Sequence, residues 1–209
     1  QIMMSDIDRH VIAFGCNAIG SSTLNPLLVR FSDAESIIDW TPSSTNSAGG
    51  VQLSLGSTII GALRTRQEIL IWSDAGIVSM RFVGQPFIFS FNEVATGMSM
   101  ISPNAAINAN GQVFFMDRGS FYTYSGSAQR LPCTVLDYIF SDINTEQLFK
   151  IFGTSNPEHN EVMWFYPSKD STEINRYVIY NYLEQTWSIG TTTDNFTRTA
   201  WNDAPTRVF

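Results

Sequence analysis

The chain is poor in cysteine, histidine and charge. Only two cysteines, Cys16 and Cys133, occur among the 209 residues, so a disulfide framework is not expected and both are predicted to be free, buried thiols. The two histidines, His10 and His159, leave little material for a metal cluster or a catalytic triad. No apolar run approaches the roughly 20 residues that a membrane-spanning helix needs, so no membrane span is expected.

Motifs for common chemistries are also missing. The sequence contains no P-loop, no Gly-x-Gly-x-x-Gly, no Cys-x-x-Cys and no Gly-x-Ser-x-Gly elbow. The net charge of −7 argues against a high-affinity grip on nucleic acid, which needs a basic stripe. The same net charge is compatible with a surface past which DNA slides without being bound. We therefore predict no enzymatic activity, no catalytic residues, no cofactor and no metal.

Hydrophobic residues make up 44% of the chain and aromatic residues 13%, which is typical of a β-rich globular protein. The stretch from Glu68 to Phe91 shows three apolar runs, separated by Asp74-Ala75-Gly76 and by Gly84-Gln85-Pro86. The first gap is expected to need a residue that tolerates φ > 0, and proline in the second ends the strand ladder. With residues 58–63 in front, the stretch predicts four consecutive antiparallel strands, the make-up of a propeller blade.

The same unit recurs along the chain. Ile69, Val113 and Val162 begin equivalent strands at separations of 44 and 49 residues, and Val11, 58 residues before Ile69, is a weaker fourth member. Spacings of roughly 40–50 residues are in the range of propeller repeats. Asn110-Gly111 is the strongest hairpin signal. Further strands are predicted at residues 8–14, 27–31, 105–109, 112–116, 121–124, 151–154, 161–166, 176–180, 186–189 and from 199 to 201.

One segment departs from the strand pattern. Val135, Ile139 and Ile143 recur at helical spacing, and Asn144-Thr-Glu-Gln147 resembles a capping box that begins a second short helix. Residues 41–50 are polar and rich in Gly, Ser and Asn, which predicts a loop.

The predicted fold class is therefore all-β: a partial β-propeller of three to four four-stranded antiparallel blades, with a short helical insertion near 134–150. We expect a single propeller-like domain over 1–209, with approximate blades 1–50, 51–97, 98–150 and 151–209. The chain is expected to be a fragment of a longer polypeptide. A β-sandwich and an open β-meander are the alternatives. In the second blade, Ile69, Ile71, Val78 and Phe82 are predicted to pack between blades.

A metal site is one hypothesis for the first residues. Asp6, Asp8 and His10 are spaced two apart, so on a strand they would share one face. No second His or Cys cluster supports the site, and a polar edge strand is the favoured interpretation.

Glycoside hydrolysis uses a pair of carboxylates, and two such pairs occur in the sequence, Asp33/Glu35 and Glu158/Glu161. Both pairs fall in predicted turns, where acidic residues stay solvated. His159 lies in the second of these turns. Solvated turns are therefore the favoured interpretation, and a glycan-active propeller is kept as the alternative.

Aromatic and basic residues provide weaker signals. The tryptophans could stack on sugars, but each lies in or beside an apolar run, which favours core packing. Arg64, Arg66 and Arg81 flank the second blade and are candidates for interface ion pairs, against solvated surface. Asn195-Phe-Thr197 matches a glycosylation sequon that we interpret as chance. The tryptophans are Trp40, Trp72, Trp164, Trp187 and Trp201.

Long motifs distributed over nearly the whole chain resemble one family of proteins. They are Asp8-Arg-His-Val-Ile-Ala-Phe-Gly, Leu28-Val-Arg-Phe-Ser-Asp-Ala-Glu-Ser, Asp39-Trp-Thr-Pro, Thr65-Arg-Gln-Glu-Ile-Leu-Ile-Trp-Ser-Asp, Met80-Arg-Phe-Val-Gly-Gln-Pro-Phe, Ile101-Ser-Pro-Asn-Ala-Ala, Asn160-Glu-Val-Met-Trp-Phe-Tyr-Pro and Tyr180-Asn-Tyr-Leu-Glu-Gln-Thr-Trp. With them the sequence resembles the tail tubular protein B type, also called the nozzle or stabilisation protein, of short-tailed phages and prophages. The motifs are structural rather than catalytic.

The resemblance implies a propeller embedded in a virion protein that forms a ring, commonly a hexamer, below the portal and adaptor. The implied partners are other copies, adaptor or portal proteins and tail fibres, with phage DNA passing through the lumen without specific binding. The implied location is the virion tail, after assembly in the host cytoplasm. The alternative, a glycan-binding or glycan-cleaving propeller, predicts a cleft with paired carboxylates near aromatic faces.

Overall fold

Four antiparallel β-sheets make up most of the molecule. The computed structural model describes residues 1–5 and 9–192, and its strands form four four-stranded sheets in which every strand pairs with its neighbours in sequence. Each sheet is thus a meander, which confirms the predicted all-β class with four-stranded antiparallel units. The chain divides into two compact units, Gln1–Ser99 and Met100–Phe209, with two sheets in each. The strand predicted from 199 to 201 lies outside the described residues.

The first sheet consists of β1 (Ile2–Met4), β2 (Val11–Asn17), β3 (Leu24–Phe31) and β4 (Gly49–Gln52). The strand predicted from residue 8 begins instead at Val11, because Arg9 has a left-handed backbone with φ of 53° that does not continue a ladder. At Gly15, with φ of 61°, a bulge shifts the register, and β2 continues to Asn17, three residues beyond the predicted strand. The predicted loop at 41–50 also ends early, because Gly49 and Gly50 pair with β3.

The second sheet consists of β5 (Ile59–Arg64), β6 (Ile69–Ser73), β7 (Gly76–Gly84) and β8 (Ile88–Thr96). This confirms four consecutive strands around the stretch 68–91. The sequence predicted that this gap needs a residue with positive φ. For Gly76 that prediction is wrong, because its φ is not positive. A side chain there would instead collide with the carbonyl oxygen of Ala95 and with Leu55. Gly76 is therefore needed for close approach to the neighbouring strand.

The core of the first unit is formed by apolar side chains from both of its sheets. Ile69, Ile71 and Val78 lie in this core, as predicted, with exposures of 6%, 0% and 3%. The prediction for Phe82 is wrong, since its side chain is 45% exposed at the rim. The first sheet contributes Ile12, Phe14, Val29 and Phe31 to the same cluster. Burial of each such side chain contributes roughly 1.5–3 kcal/mol relative to exposure.

The third sheet, in the second unit, consists of β9 (Ala106–Ala109), β10 (Gln112–Met116), β11 (Phe121–Tyr124) and β12 (Ala128–Leu131). The predicted hairpin at Asn110-Gly111 is confirmed, with φ values of 50° and 75°. The helical insertion follows β12 as α1 (Leu136–Asp142), and a 3-10 helix covers Thr145–Lys150. Asn144 caps this second helix by accepting from the backbone N–H of Glu146. No helix in the described part of the chain is long and apolar enough to cross a membrane.

The fourth sheet consists of β13 (Phe152–Asn156), β14 (Glu161–Tyr166), β15 (Arg176–Asn181) and β16 (Thr186–Thr191), and a 3-10 turn, Pro157–His159, joins the first two strands. Trp164 of β14 is fully buried, and its indole N–H donates to the carbonyl of Ala105 at 2.9 Å. Its ring also packs on Phe121 of the third sheet, with centroids 4.9 Å apart. Trp164 therefore joins the two sheets of the second unit.

The repeat predicted from spacing is present in the strand order. The second strands of the four sheets begin at Val11, Ile69, Gln112 and Glu161. Val11 and Ile69 are the predicted residues themselves, and the other two lie one residue before Val113 and Val162. The alignment by second strands therefore identified equivalent positions in all four sheets.

Candidate functional site

The first unit has a cleft beside the turn that joins β5 to β6. It has a volume of about 270 Å³. Its floor is apolar and comes from β6, β7 and β8, while its edge is polar and comes mostly from the turn. The floor residues are Ile69, Met80, Phe82 and Phe89, and the edge residues are Ser5, Arg64, Thr65, Arg66, Gln67 and Glu68. We call this surface the arginine-edged cleft.

The turn at the edge of the cleft is held by Thr65. Its hydroxyl donates to the carbonyl of Glu68 at 2.8 Å and accepts from the Glu68 backbone N–H at 3.2 Å. The backbone N–H of Thr65 donates to the same carbonyl at 2.8 Å. These bonds close the turn locally and leave Arg66 and Gln67 exposed at its tip.

Among the described residues that line the cleft, the charged ones are Arg64, Arg66 and Glu68. The Glu68 carboxylate, only 7% exposed, accepts from Arg81 Nε at 3.0 Å and also from the Ser79 hydroxyl. Arg64 donates to the carbonyl of Met4 at 2.9 Å. Arg66 makes no hydrogen bond or ion pair with residues 1–5 or 9–192. Arg66 therefore places a positive charge at the edge of an apolar floor, on a chain whose net charge is −7.

His10 lies behind the aromatic part of the floor. Its side chain is 1% exposed, and Nδ1 donates to the carbonyl of Ser32 at 2.6 Å. The ring makes edge contacts with Phe31 and Phe89, at centroid distances of 6.0 and 5.3 Å. His10 thus serves the packing of the first unit.

The metal hypothesis named His10 together with Asp6 and Asp8. The two aspartates lie outside the described residues. Among the residues that the structure does describe, no three His, Cys, Asp or Glu side chains come together as a set that could hold a metal ion.

The carboxylate pair Asp33/Glu35 serves two separate structural contacts. Asp33 accepts from Ser47, through both the backbone N–H and the hydroxyl, at 2.8 and 2.6 Å. These hydrogen bonds hold the pKa of the Asp33 carboxyl below its ordinary value. Glu35 forms an ion pair with Arg9, in which both side chains are 67% exposed. The pair shows no arrangement for acid–base catalysis.

The second pair, Glu158/Glu161, flanks a 3-10 turn. Glu158 is exposed in the turn, and Glu161 accepts from the Asn156 side chain at 3.2 Å. His159 is exposed, and its backbone carbonyl accepts from Asn181 at 3.1 Å. Glu158 and His159 thus lie in a solvated turn, as predicted, whereas Glu161 is half-buried at the start of β14.

The tryptophans divide into core and surface roles. Trp72 and Trp164 are fully buried, which confirms the core interpretation for these two. Trp187 is half-buried against Phe121, and its indole N–H donates to the carbonyl of Pro132 at 2.8 Å. Trp40 is half-buried under the guanidinium of Arg30, 5.6 Å from the ring centroid. Trp201 and the sequon at Asn195 lie outside the described residues.

Both cysteines are free, as predicted, but they are half-buried rather than fully buried. Burial raises the pKa of the Cys16 thiol and that of the Cys133 thiol. Because a raised pKa disfavours the reactive thiolate form, neither thiol is activated as a nucleophile.

A second surface, which sequence reasoning missed, is the loop of residues 33–47 between β3 and β4. The bonds from Ser47 to Asp33 close its base, and Asn46 donates to Asp39 at 3.1 Å and to the carbonyl of Thr41 at 2.8 Å. At its tip Ile37 and Ile38 are 72% and 86% exposed. The sequence carries no signal for this exposure, since apolar pairs normally indicate burial.

Comparison with known proteins adds no assignment. No protein-family model matches the chain. A search of curated proteins also gave no match.

Proposed function

We propose that this chain is a non-enzymatic structural component of the short tail of a phage virion. It forms part of the tail tube or nozzle through which the genome is delivered, and it docks other tail proteins. The long motifs quoted above support this proposal through their resemblance to the tail tubular protein B family. Four blade-like sheets are compatible with the propeller that the family implies.

The observation that carries the proposal is the use of polar side chains. Asp33 closes the 33–47 loop, Asp74 accepts from Ser57 and Thr58, and Glu68 pairs with Arg81. In the described residues these carboxylates hold turns and strands together. This is the pattern of a scaffold, in which polar groups fix the surface presented to other subunits.

In this proposal the full-length protein forms a ring, with a hexamer as the expected form. It is assembled in the host cytoplasm and resides in the virion tail, between adaptor or portal proteins and tail fibres. Phage DNA passes transiently. A net charge of −7 fits such a passage, since acidic surfaces repel the phosphate backbone and prevent a tight grip.

The test is assembly of the full-length protein with its adaptor partner, followed by light scattering and negative-stain microscopy. Closed rings are the expected result. A full-length protein that stays monomeric in the presence of the adaptor would overturn the proposal.

A glycan array separates this proposal from the alternative of a glycan-active propeller. Among the described residues that line the arginine-edged cleft, Glu68 supplies the one carboxylate, and it is already paired with Arg81. We therefore expect no retention of polysaccharide on the array. Binding or cleavage of a host-surface glycan would favour the alternative function instead.

A further inference from the structure

We propose that the arginine-edged cleft receives the tip of the 33–47 loop, Ile37 and Ile38, from a second copy of this chain. The inference rests on the proposed function, because it names a contact through which copies assemble. It pairs two surfaces described above, the arginine-edged cleft of one copy and the 33–47 loop of another. The argument depends on the rigidity of the loop, the shape of the cleft, and the charges around both.

The loop is built to present its tip. Asp33 and Ser47 close its base, and the Trp40 indole N–H donates to the carbonyl of Ile37 at 3.0 Å. The Ser36 hydroxyl accepts from the backbone N–H of Asp39 at 3.0 Å. Ile37 and Ile38 nevertheless remain 72% and 86% exposed. A loop that is already ordered loses little conformational entropy when it docks.

The cleft offers a matching apolar surface. Its volume of about 270 Å³ lies below the roughly 300–1,000 Å³ of typical small-molecule sites. Its floor presents the ring of Phe82, which is 45% exposed, while Met80 and Phe89 are nearly buried at 1% and 6%. Such a cleft fits one or two aliphatic side chains better than a cofactor.

The charges around the two surfaces are complementary. Asp33 and Asp39 lie within four residues of Ile37, so the apolar anchor is flanked by two carboxylates whose hydrogen-bond donors, Ser47 and Asn46, are uncharged. Glu35 does not count here, because it is paired with Arg9. The cleft edge carries the exposed Arg66, which makes no hydrogen bond or ion pair with residues 1–5 or 9–192. Opposite charges at the margins of an apolar contact set its orientation and disfavour other partners.

The contact requires two molecules. No residue of the 33–47 loop lines the cleft, and both isoleucines at its tip are exposed within their own chain. The loop therefore does not fill the cleft of the chain it belongs to. Because loop and cleft are different surfaces, each copy can give one contact and receive another, which builds a ring where the rotation closes.

The experiment uses the full-length protein and two substitutions of exposed residues. Ile38→Asp removes the anchor and Arg66→Glu reverses the cleft edge. Ile19→Asp and Arg118→Glu are the matched controls, because Ile19 is 51% exposed in another turn and Arg118 is exposed in the β10–β11 turn. Analytical ultracentrifugation should show self-association weakened by about tenfold or more in the two test variants, and unchanged association in the controls.

Mixing the two defective variants adds a sharper readout. Each mixed pair retains one intact loop and one intact cleft, on different molecules, so we expect heterodimers that do not grow further. Assembly of both test variants as strongly as the wild type would overturn the contact and leave the ring proposal standing. Circular dichroism confirms folding of each variant.

A disulfide trap separates failure of the contact from failure of the proposed function. In a Cys16→Ser, Cys133→Ser background, Ile38→Cys with Gln67→Cys should give cross-linked oligomers, while Ile19→Cys with Gln67→Cys should not. Cross-linking without rings would support the contact and overturn the ring. Rings with equal cross-linking of the two cysteine pairs would overturn the contact alone. If neither rings nor cross-linked oligomers form, both proposals are overturned.

Discussion

Asp33 accepts two hydrogen bonds from Ser47, one from the backbone N–H at 2.8 Å and one from the hydroxyl at 2.6 Å. Asp74 holds Ser57 in the same way, with its carboxylate accepting the backbone N–H at 2.7 Å and the hydroxyl at 2.5 Å. Asp74 directly follows β6, Asp33 lies two residues after the end of β3, and both serines belong to a segment that leads into a strand of the same sheet. The first unit thus uses the same aspartate–serine contact twice, once to close the β3–β4 loop and once to tie the β6–β7 turn to the segment before β5.

Because of this contact, we expect the folded protein to lose stability in acid. Hydrogen bonds from serine hold the pKa of Asp33 and of Asp74 below the ordinary value of 3.8. A lowered pKa means that the stabilisation is present above the unfolded value and is lost as the pH falls through the folded one. Ser47→Ala should therefore destabilise the protein more at neutral pH than well below 3.8. Urea denaturation at both pH values checks this, and an equal cost at both would contradict it.

Trp164 is predicted to be a main source of stability in the second unit. It is fully buried, contacts Phe121, and donates to the carbonyl of Ala105. Trp164→Ala should cost about 3–5 kcal/mol of unfolding free energy, because it removes a large core side chain and leaves a cavity. Trp164→Phe should cost less, since an apolar ring remains. Denaturation followed by circular dichroism measures both.

The control for this prediction is Trp40→Ala. Trp40 is half-buried in the 33–47 loop, under the guanidinium of Arg30. We expect a clearly smaller loss of stability. Equal losses for the two tryptophans would show that Trp164 does not have the packing role assigned to it.

Much of the fold could be predicted because strand periodicity is local. Apolar runs bounded by Gly, Asn and Pro identified the strands, and the spacing of Val11 and Ile69 identified repeated units. Two strands were not predicted, Ile2–Met4 and Gly49–Gln52, because they are too short or too glycine-rich to show a pattern. They are strands only because β2 and β3 pair with them.

The cleft and the loop tip could not be predicted for a different reason. The cleft combines Ser5, the β5–β6 turn, and side chains such as Met80 and Phe89, which no sequence spacing brings together. Ile37 and Ile38 are apolar, so sequence reasoning expects them to be buried. Their exposure follows from the hydrogen bonds of Asp33 that fix the loop, and these exist only in the folded chain.

The two cysteines are predicted to react slowly in the folded protein. Burial raises the pKa of both thiols above the ordinary value of 9.0. Because the thiolate is the reactive form, alkylation by iodoacetamide at neutral pH should be slower than in the urea-unfolded chain, and it should accelerate as the pH rises. Mass spectrometry of Cys16→Ser and Cys133→Ser resolves the sites. Equal rates in folded and unfolded protein would contradict the burial.

Gly153 of β13 lies at a close approach to Ile107 of β9, between the two sheets of the second unit. Its backbone N–H donates to the carbonyl of Asn104 at 2.8 Å. A Cβ at Gly153 would lie 2.5 Å from both Cδ1 and Cγ1 of Ile107 and 3.2 Å from the ring of Trp164. Real Cβ atoms do not approach other atoms this closely, so either the buried Ile107 or the strand has to move.

Gly153→Ala should therefore destabilise the protein by about 1–3 kcal/mol, the usual cost of overpacking a core. Ile107→Val removes the Cδ1 methyl, so it should recover part of that loss in the double variant, and a double-mutant cycle measures the coupling. Gly119→Ala is the matched control, because no atom lies within 4 Å of a Cβ there. A cost equal to that of the control, or strict additivity with Ile107→Val, would mean that β13 and β9 are not packed as tightly as the structure has them.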